Sequence, residues 1–166
     1  MDRIELAPLG RIHTPFTSQA GMPIQSVGAA GAAGWIELEP AYAEGLRDLE
    51  GFEYLFLLYH LHQAGPGKLT VTPYLDTTPH GVFATRSPRR PNALGLSVVR
   101  LVGVHGLRVD IEDVDMLDGT PLLDIKPYVP AFDVRQTERI GWFAGKVERV
   151  YQAKADDRFA GPHEPA

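Results

Sequence analysis

The run F-E-Y-L-F-L-L-Y-H-L, Phe52 to Leu61, is almost wholly apolar and aromatic. It is far too short to cross a membrane, and an unbroken aromatic and aliphatic run of this length reads as a strand buried on both faces. Such a strand has to sit at the centre of a fold. Shorter runs surround it at Ile4 to Phe16, Trp35 to Leu38, Leu69 to Leu75, Gly81 to Thr85, Leu96 to Val104, Leu107 to Val114 and Leu122 to Ile125. Glycine, proline or Asp-Gly separates them, and strands at that spacing predict a barrel or a sandwich. Pro40 to Leu49 has the proline start and spacing of a short helix. Gly145 to Tyr151 is expected to close the sheet, and the polar tail Ala155 to Ala166 to be loosely held.

Composition bounds the function. The chain has 166 residues, 44% hydrophobic and 22% charged, which fits a single domain with a sizeable core. The start, M-D-R-I-E-L-A-P-L-G, lacks the apolar stretch of a signal peptide, and no segment approaches a membrane helix, so a cytoplasmic location is expected and a membrane partner is not. The absence of cysteine removes disulfides, thiolate nucleophiles and cysteine-held zinc. A net charge of -5 argues against indiscriminate nucleic-acid binding. The charge is uneven, however. Thr77 to Val109 carries five arginines and no acid, whereas Asp110 to Asp124 carries six acids and no base, so a local basic surface is compatible with net acidity.

Several stretches invite a chemical reading. Arg86, Arg89, Arg90 and Asn92 share a turn stiffened by Pro88 and Pro91 between two apolar runs. The G-A-A-G-A-A-G segment, Gly28 to Gly34, lacks the lysine and hydroxyl of a phosphate loop and reads as a flexible loop. No G-x-S-x-G elbow is present. His60 and His62 are the best histidine pair for a metal, but a third ligand is not evident and Phe56 and Leu58 share their face, so no metal is expected. Asp118-Gly119 is a turn dipeptide with two readings of equal weight. It either connects a hairpin or presents a carboxylate, the Thr120 hydroxyl and free backbone groups to a purine edge or a ribose.

Five segments together resemble one family. They are P-I-Q (Pro23 to Gln25), L-E-G-F (Leu49 to Phe52), H-Q (His62-Gln63), G-V-F-A-T-R-S-P-x-R-P-N-x-x-G-L-S (Gly81 to Ser97) and L-D-G-T-P-L-L-D-I-K-P-Y-V-P (Leu117 to Pro130). In this order, from about Leu9 to Phe132, the chain resembles the TrmO (YaeB/TsaA-like) family of S-adenosylmethionine-dependent tRNA methyltransferases. It departs from the family in having Ile24 where relatives often have arginine and Ala93-Leu94 for a frequent Pro-Ile.

The resemblance implies a mainly β fold, a single antiparallel β-barrel with short helices and loops, spanning residues 1–152 and followed by a polar tail at 153–166. It also implies a homodimer, and N6-methylation of threonylcarbamoyl-modified adenosine beside the anticodon of tRNA. The positions that match the family's cofactor-contacting segments are Pro23, Ile24, Gln25, His62, Gln63, Arg86, Leu96, Asp118, Gly119, Thr120 and Pro121. On this reading Arg86 forks onto the carboxylate of S-adenosylmethionine, the Asp118 turn takes its adenosine, and Arg89, Arg90 and Asn92 remain for the anionic RNA substrate. A positively charged sulfonium is a good leaving group, so the main demand on the protein is positioning. Tyr59, Asp115 and Asp118 are the candidates for a proton acceptor, and sequence does not choose among them. A methyltransferase of the same fold acting on a small molecule or another nucleobase, and a non-catalytic S-adenosylmethionine-binding module, are the alternatives.

Overall fold

A computed structural model describes residues 2–160. Eight strands occur in it: β1 (Gly10–His13), β2 (Ala33–Leu38), β3 (Tyr54–His60), β4 (Thr70–Val71), β5 (His80–Gly81), β6 (Leu94–His105), β7 (Arg108–Glu112) and β8 (Thr120–Pro127). Six of them close into a barrel in the order β1-β2-β7-β6-β3-β8, every pair antiparallel, while β4 and β5 form a separate two-stranded ribbon. Closure leaves the barrel without an outer edge strand. Among the described residues the one α-helix, Pro130–Asp133, is a single turn, and the other helical pieces are 3₁₀ turns.

Each barrel strand sends alternate residues inward. Ile12, Ile36, Leu57, Val99, Ile111 and Leu122, one from each of the six strands, are fully buried against one another. Each aliphatic side chain removed from water in this way stabilises the fold by about 1.5–3 kcal/mol. β3 lies between β6 and β8 and is central as its sequence requires. Only one of its faces is fully enclosed: Leu55, Leu57 and Tyr59 point into the core, whereas Phe56 and Leu58 are half-buried and Phe56 meets Tyr128 edge-on.

Further expectations are corrected by the structure, among them the strand expected at Gly81 to Thr85, where Val82–Ala84 is a 3₁₀ turn. The strand expected over Ile4 to Phe16 is confined to Gly10–His13, the residues that have partners on both β2 and β8. The helix expected from Pro40 is a 3₁₀ turn, Pro40–Leu46, soon followed by Asp48 in the left-handed region at φ 66°. Gly145 to Tyr151 does not close the sheet. Val147–Tyr151 is a 3₁₀ turn, and closure comes from β1 pairing with β8 through Gly10 and Leu122. The segment from Ala155 is held as far as it is described, since Phe159 is buried with Val71 and Val82, and Ala160 bridges Ala64; residues 161–166 lie outside the described residues.

The G-A-A-G-A-A-G segment is anchored as well. The Gly31 N–H donates to Asp113 Oδ1 at 2.8 Å, and Ala33 and Gly34 already belong to β2. β6 is the element that shapes the site. Over Leu94–Arg100 it pairs with β3, but its pairing with β7 begins only at Arg100, so the opposite edge of its first half has no ladder partner.

Candidate active site

A cavity of about 780 Å³ opens along that unpaired half of β6. Its walls come from the loop after β1, the turn after β3, the arginine turn after β5, the loop before β8 and the C-terminal segment from Ile140 to Phe159. A volume of this size falls in the range of small-molecule and cofactor sites.

Most residues singled out by the resemblance meet there. Pro23, Ile24 and Gln25 line one wall, His62 and Gln63 another, and Arg86, Leu96 and Thr120 complete the set. The Arg86 guanidinium donates through Nη1 to Gln25 Oε1, which joins two segments 61 residues apart and leaves its other N–H groups available. Burial and the neighbouring His60 pull the His62 imidazole below its ordinary value, so it is neutral at neutral pH. The Thr120 hydroxyl is buried and donates to the Leu117 carbonyl at 2.7 Å.

Asp118, Gly119 and Pro121 do not line the cavity. Asp118 Oδ1 accepts the Thr14 N–H at 3.1 Å and lies 3.3 Å from His13 Nδ1, so its carboxylate ties the β8 turn to β1. Gly119 turns the chain at φ +73° and its carbonyl accepts from Arg11. The Asp118-Gly119 turn therefore closes no hairpin, because β7 and β8 are not paired, and its carboxylate faces Thr14 and His13 while the neighbouring Leu117 and Thr120 line the cavity.

The three substrate candidates are placed differently from one another. Arg89 is half-buried, donates from Nη2 to the Ala160 carbonyl at 2.8 Å, and lies so close under the 64–67 loop that a Cβ on Gly65 would stand 2.7 Å from the guanidinium. Arg90 lines the cavity wall but its Nη1 donates to the Val82 and Thr85 carbonyls at 3.2 and 2.8 Å. Asn92 is exposed outside the cavity. Arg89 and Arg90 therefore hold the turn together, and Arg86 is the arginine of the turn whose guanidinium is not bound to backbone carbonyls.

The deepest polar feature is a chain of three side chains. Tyr59 on β3 and Ser97 on β6 are both buried, their hydroxyls 2.9 Å apart, and Ser97 Oγ is 2.5 Å from Asp115 Oδ1 in the loop before β8. Gly95 makes room for it, because a Cβ there would fall 2.1 Å from the Tyr59 ring. Burial pushes the Asp115 carboxyl up to about 6, against the Ser97 hydrogen bond and the Arg86 charge, which act in the other direction. Elsewhere on the lining, Gln19 Oε1 is buried without a partner among the described residues. A buried acceptor of that kind is a place for a donor from water or a ligand.

The sequence reading missed Gln19 and Ser97 as site residues. Ser97 was detectable as a polar residue sharing the inward parity of Gly95 and Val99 on β6, whereas nothing local distinguishes Gln19. It also missed the C-terminal wall. Trp142 Nε1 donates to the Ala84 carbonyl at 2.7 Å and its ring stacks on His80 and Phe143, while Lys146 pairs with Asp76, which also binds His80 at 3.1 Å. Lys146 first and His80 second hold the Asp76 carboxyl well below the usual carboxylate range. Among the described residues no group of three metal-ligating side chains is present, and His60 ends β3 while His62 lies in the following turn rather than on the same strand.

The chain was compared with known proteins. The profile of the tRNA-methyltransferase O N-terminal domain matches residues 11–134. A probable S-adenosyl-L-methionine-binding protein of Pyrococcus abyssi is 51% identical over 152 residues, 92% of this chain and 83% of that protein. A mouse tRNA (adenine(37)-N6)-methyltransferase is 35% identical over 136 residues, 78% of this chain but 32% of that protein. The crystal structure of TrmO from Pseudomonas aeruginosa superposes with a TM-score of 0.72 at 39% identity, covering 86% of this chain and 62% of that one. The chain thus spans somewhat less than two thirds of the TrmO chain that it matches. No helix among the described residues is long and apolar enough to cross a membrane.

Proposed function

The chain belongs to the tRNA-methyltransferase O family, and from that premise we propose that it transfers the methyl group of S-adenosylmethionine to N6 of threonylcarbamoyl-modified adenosine beside the anticodon of tRNA. One observation carries the cofactor assignment: Pro23-Ile24-Gln25, His62-Gln63, Arg86 and Leu96, scattered over 74 positions of the sequence, line one cavity. The donor set of that cavity suits the ligand. Arg86 offers N–H groups to a carboxylate, the buried Gln19 oxygen awaits an ammonium or amino donor, and the edge of β6 at Leu96 presents main-chain groups that no strand satisfies.

S-adenosylmethionine, when bound, supplies the electrophilic methyl group. The protein's share is to hold its two polar ends apart, to exclude water with the apolar wall of Leu94, Leu96, Ile140 and Phe143, and to aim the acceptor nitrogen. The reading carries with it a cytoplasmic location and a homodimer, the latter checked by sedimentation velocity.

A second reading is favoured by a specific observation. Arg89 and Arg90 are engaged by carbonyls and the chain is acidic, so the cavity mouth offers few cations to RNA; a small molecule or another nucleobase as acceptor fits that surface. Transfer of labelled methyl to bulk tRNA with and without the threonylcarbamoyl group decides between them. Label on the modified pool alone supports the tRNA reading. Cofactor binding with no label on either pool moves the assignment to another acceptor.

A further inference from the structure

The hydrogen-bond chain at the cavity floor has a fixed direction. Ser97 has one hydroxyl hydrogen, and the short contact to Asp115 Oδ1 at 2.5 Å takes it. The Tyr59 hydroxyl, 2.9 Å from the same oxygen, is then the donor of the second contact. Burial first, and the Asp115 charge second, push the Tyr59 phenol above its ordinary value, so it keeps its proton and can only donate along this chain. Donation runs from Tyr59 to Ser97 to Asp115, and the carboxylate at its end lines the cavity.

We propose that Asp115 is the general base of methyl transfer: held in place by Ser97, its carboxylate takes the proton of the acceptor nitrogen as that nitrogen attacks. The inference rests on the methyltransferase reading above. In the balanced step the nitrogen lone pair forms the new N–C bond and the C–S bond breaks with its electrons kept by sulfur, which becomes a neutral thioether. The N–H proton passes to Asp115, which returns it to water when the product leaves.

An unperturbed aspartate is a weak base near neutrality, and efficient proton transfer wants a group whose affinity lies closer to the operating pH. The groups facing Asp115 from the packed elements are Ser97 of β6, Tyr59 of β3, Arg86 of the arginine turn and the Ser26 N–H of the loop after β1. Desolvation outweighs them and sets the carboxyl at about 6. The two other candidates are disposed of by geometry and charge. Tyr59 is protonated, and Asp118 sits at the barrel rim, engaged by Thr14 and His13.

The test is single-turnover methyl transfer to threonylcarbamoyl-modified tRNA from about pH 5 to 8, for wild type, Asp115→Asn and Ser97→Ala, with cofactor affinity measured by calorimetry on the same preparations. Wild type should show a rate that rises tenfold per pH unit and levels off near pH 6. Asp115→Asn should be slower by roughly 10²–10⁴-fold and flat with pH, while binding the cofactor as wild type does. Ser97→Ala, which removes the bond that positions Asp115 together with the Tyr59 contact, should lie between and keep the slope. A retained slope or an undiminished rate in Asp115→Asn overturns the proposal. So does a loss of cofactor affinity that accounts for the lost rate, because Asp115 would then be a cofactor contact. A carbon-13 carboxyl signal that vanishes in Asp115→Asn should titrate near pH 6 in the wild type; titration near the ordinary value of about 4 also overturns it. Wild type that binds cofactor yet leaves the modified tRNA unlabelled would remove the tRNA reading, and the base argued for it, whereas an active wild type matched by an active variant removes the base alone.

Discussion

Arg86, Arg89 and Arg90 share a residue type and a turn, and the structure separates them by what their guanidiniums touch. Arg86 reaches sideways to Gln25, whereas Arg89 and Arg90 cap main-chain carbonyls of Ala160, Val82 and Thr85. Arg86→Ala should therefore weaken cofactor binding by roughly 10–100-fold, the value of a charge-assisted hydrogen bond, with little change in the urea midpoint. Arg89→Ala should do the reverse, lowering stability by about 1–3 kcal/mol because the Ala160 carbonyl loses its donor, with cofactor affinity changed less. Calorimetry and urea titration on the same two variants read out both halves; equal loss of affinity in the two would refute the division. The sequence could not make this separation, since an arginine facing an anion and one facing a carbonyl look alike until the distant partner is known. Asp115 provides a residue-level check of another kind. Its folded value, about 6, lies above the unfolded value, so between roughly pH 4 and pH 6 the folded state holds the extra proton and the apo protein loses stability as pH rises through that window. The loss is on the order of 3 kcal/mol, and Asp115→Asn should abolish this part of the pH dependence in urea unfolding.

At the level of elements, strand existence was legible and closure was not. β3, β6, β7 and β8 announce themselves as apolar runs, because burial acts on every residue of a strand. Which strand completes the barrel depends on pairings across more than a hundred residues, and the short β1 wins that position from the Val147–Tyr151 turn through its register with Leu122. The same limit concealed the C-terminal wall of the site, whose contacts run back to Asp76, His80 and Ala84. These contacts lie outside the barrel and are polar and aromatic in equal measure, so the wall should be separable from the fold. Trp142→Ala removes the Ala84 hydrogen bond and both ring stacks. It should increase proteolytic cleavage within the 140–153 segment and weaken cofactor binding several-fold, while amide protection of β3 and β6 stays at the wild-type level. Loss of protection throughout the barrel would mean that the wall is part of the folding core. Gly95 marks the opposite case, inside the barrel. A methyl group there meets the Tyr59 ring at 2.1 Å, and displacing that ring breaks the Ser97 contact as well as the packing. Gly95→Ala should cost about 1–3 kcal/mol in urea unfolding.

For the molecule as a whole, the tRNA reading requires an acidic chain to meet an RNA. Binding to phosphates releases counterions, so the slope of log affinity against log salt counts the cations engaged, at about -0.7 per contact for single strands. With Arg89 and Arg90 held by carbonyls and Arg86 assigned to the cofactor, two exposed cations on adjoining segments are the candidates for phosphates: Lys68, whose main-chain N–H bonds the Arg89 carbonyl, and Arg11, whose exposed guanidinium gives only Nη1 to the Gly119 carbonyl. One protomer meeting an anticodon loop should then give a slope of about -1.4, and two protomers of a homodimer sharing one tRNA about twice that. Cofactor binding, which engages the single Arg86, should change far less over the same salt range. The measurement is filter binding of threonylcarbamoyl-modified tRNA across a salt series, with Lys68→Ala and Arg11→Ala each reducing the slope by about 0.7. A slope indistinguishable from zero would mean that phosphates make no contribution. The acidic surface would then be the surface the acceptor actually meets, and a small, weakly charged methyl acceptor would be the better reading of the cavity.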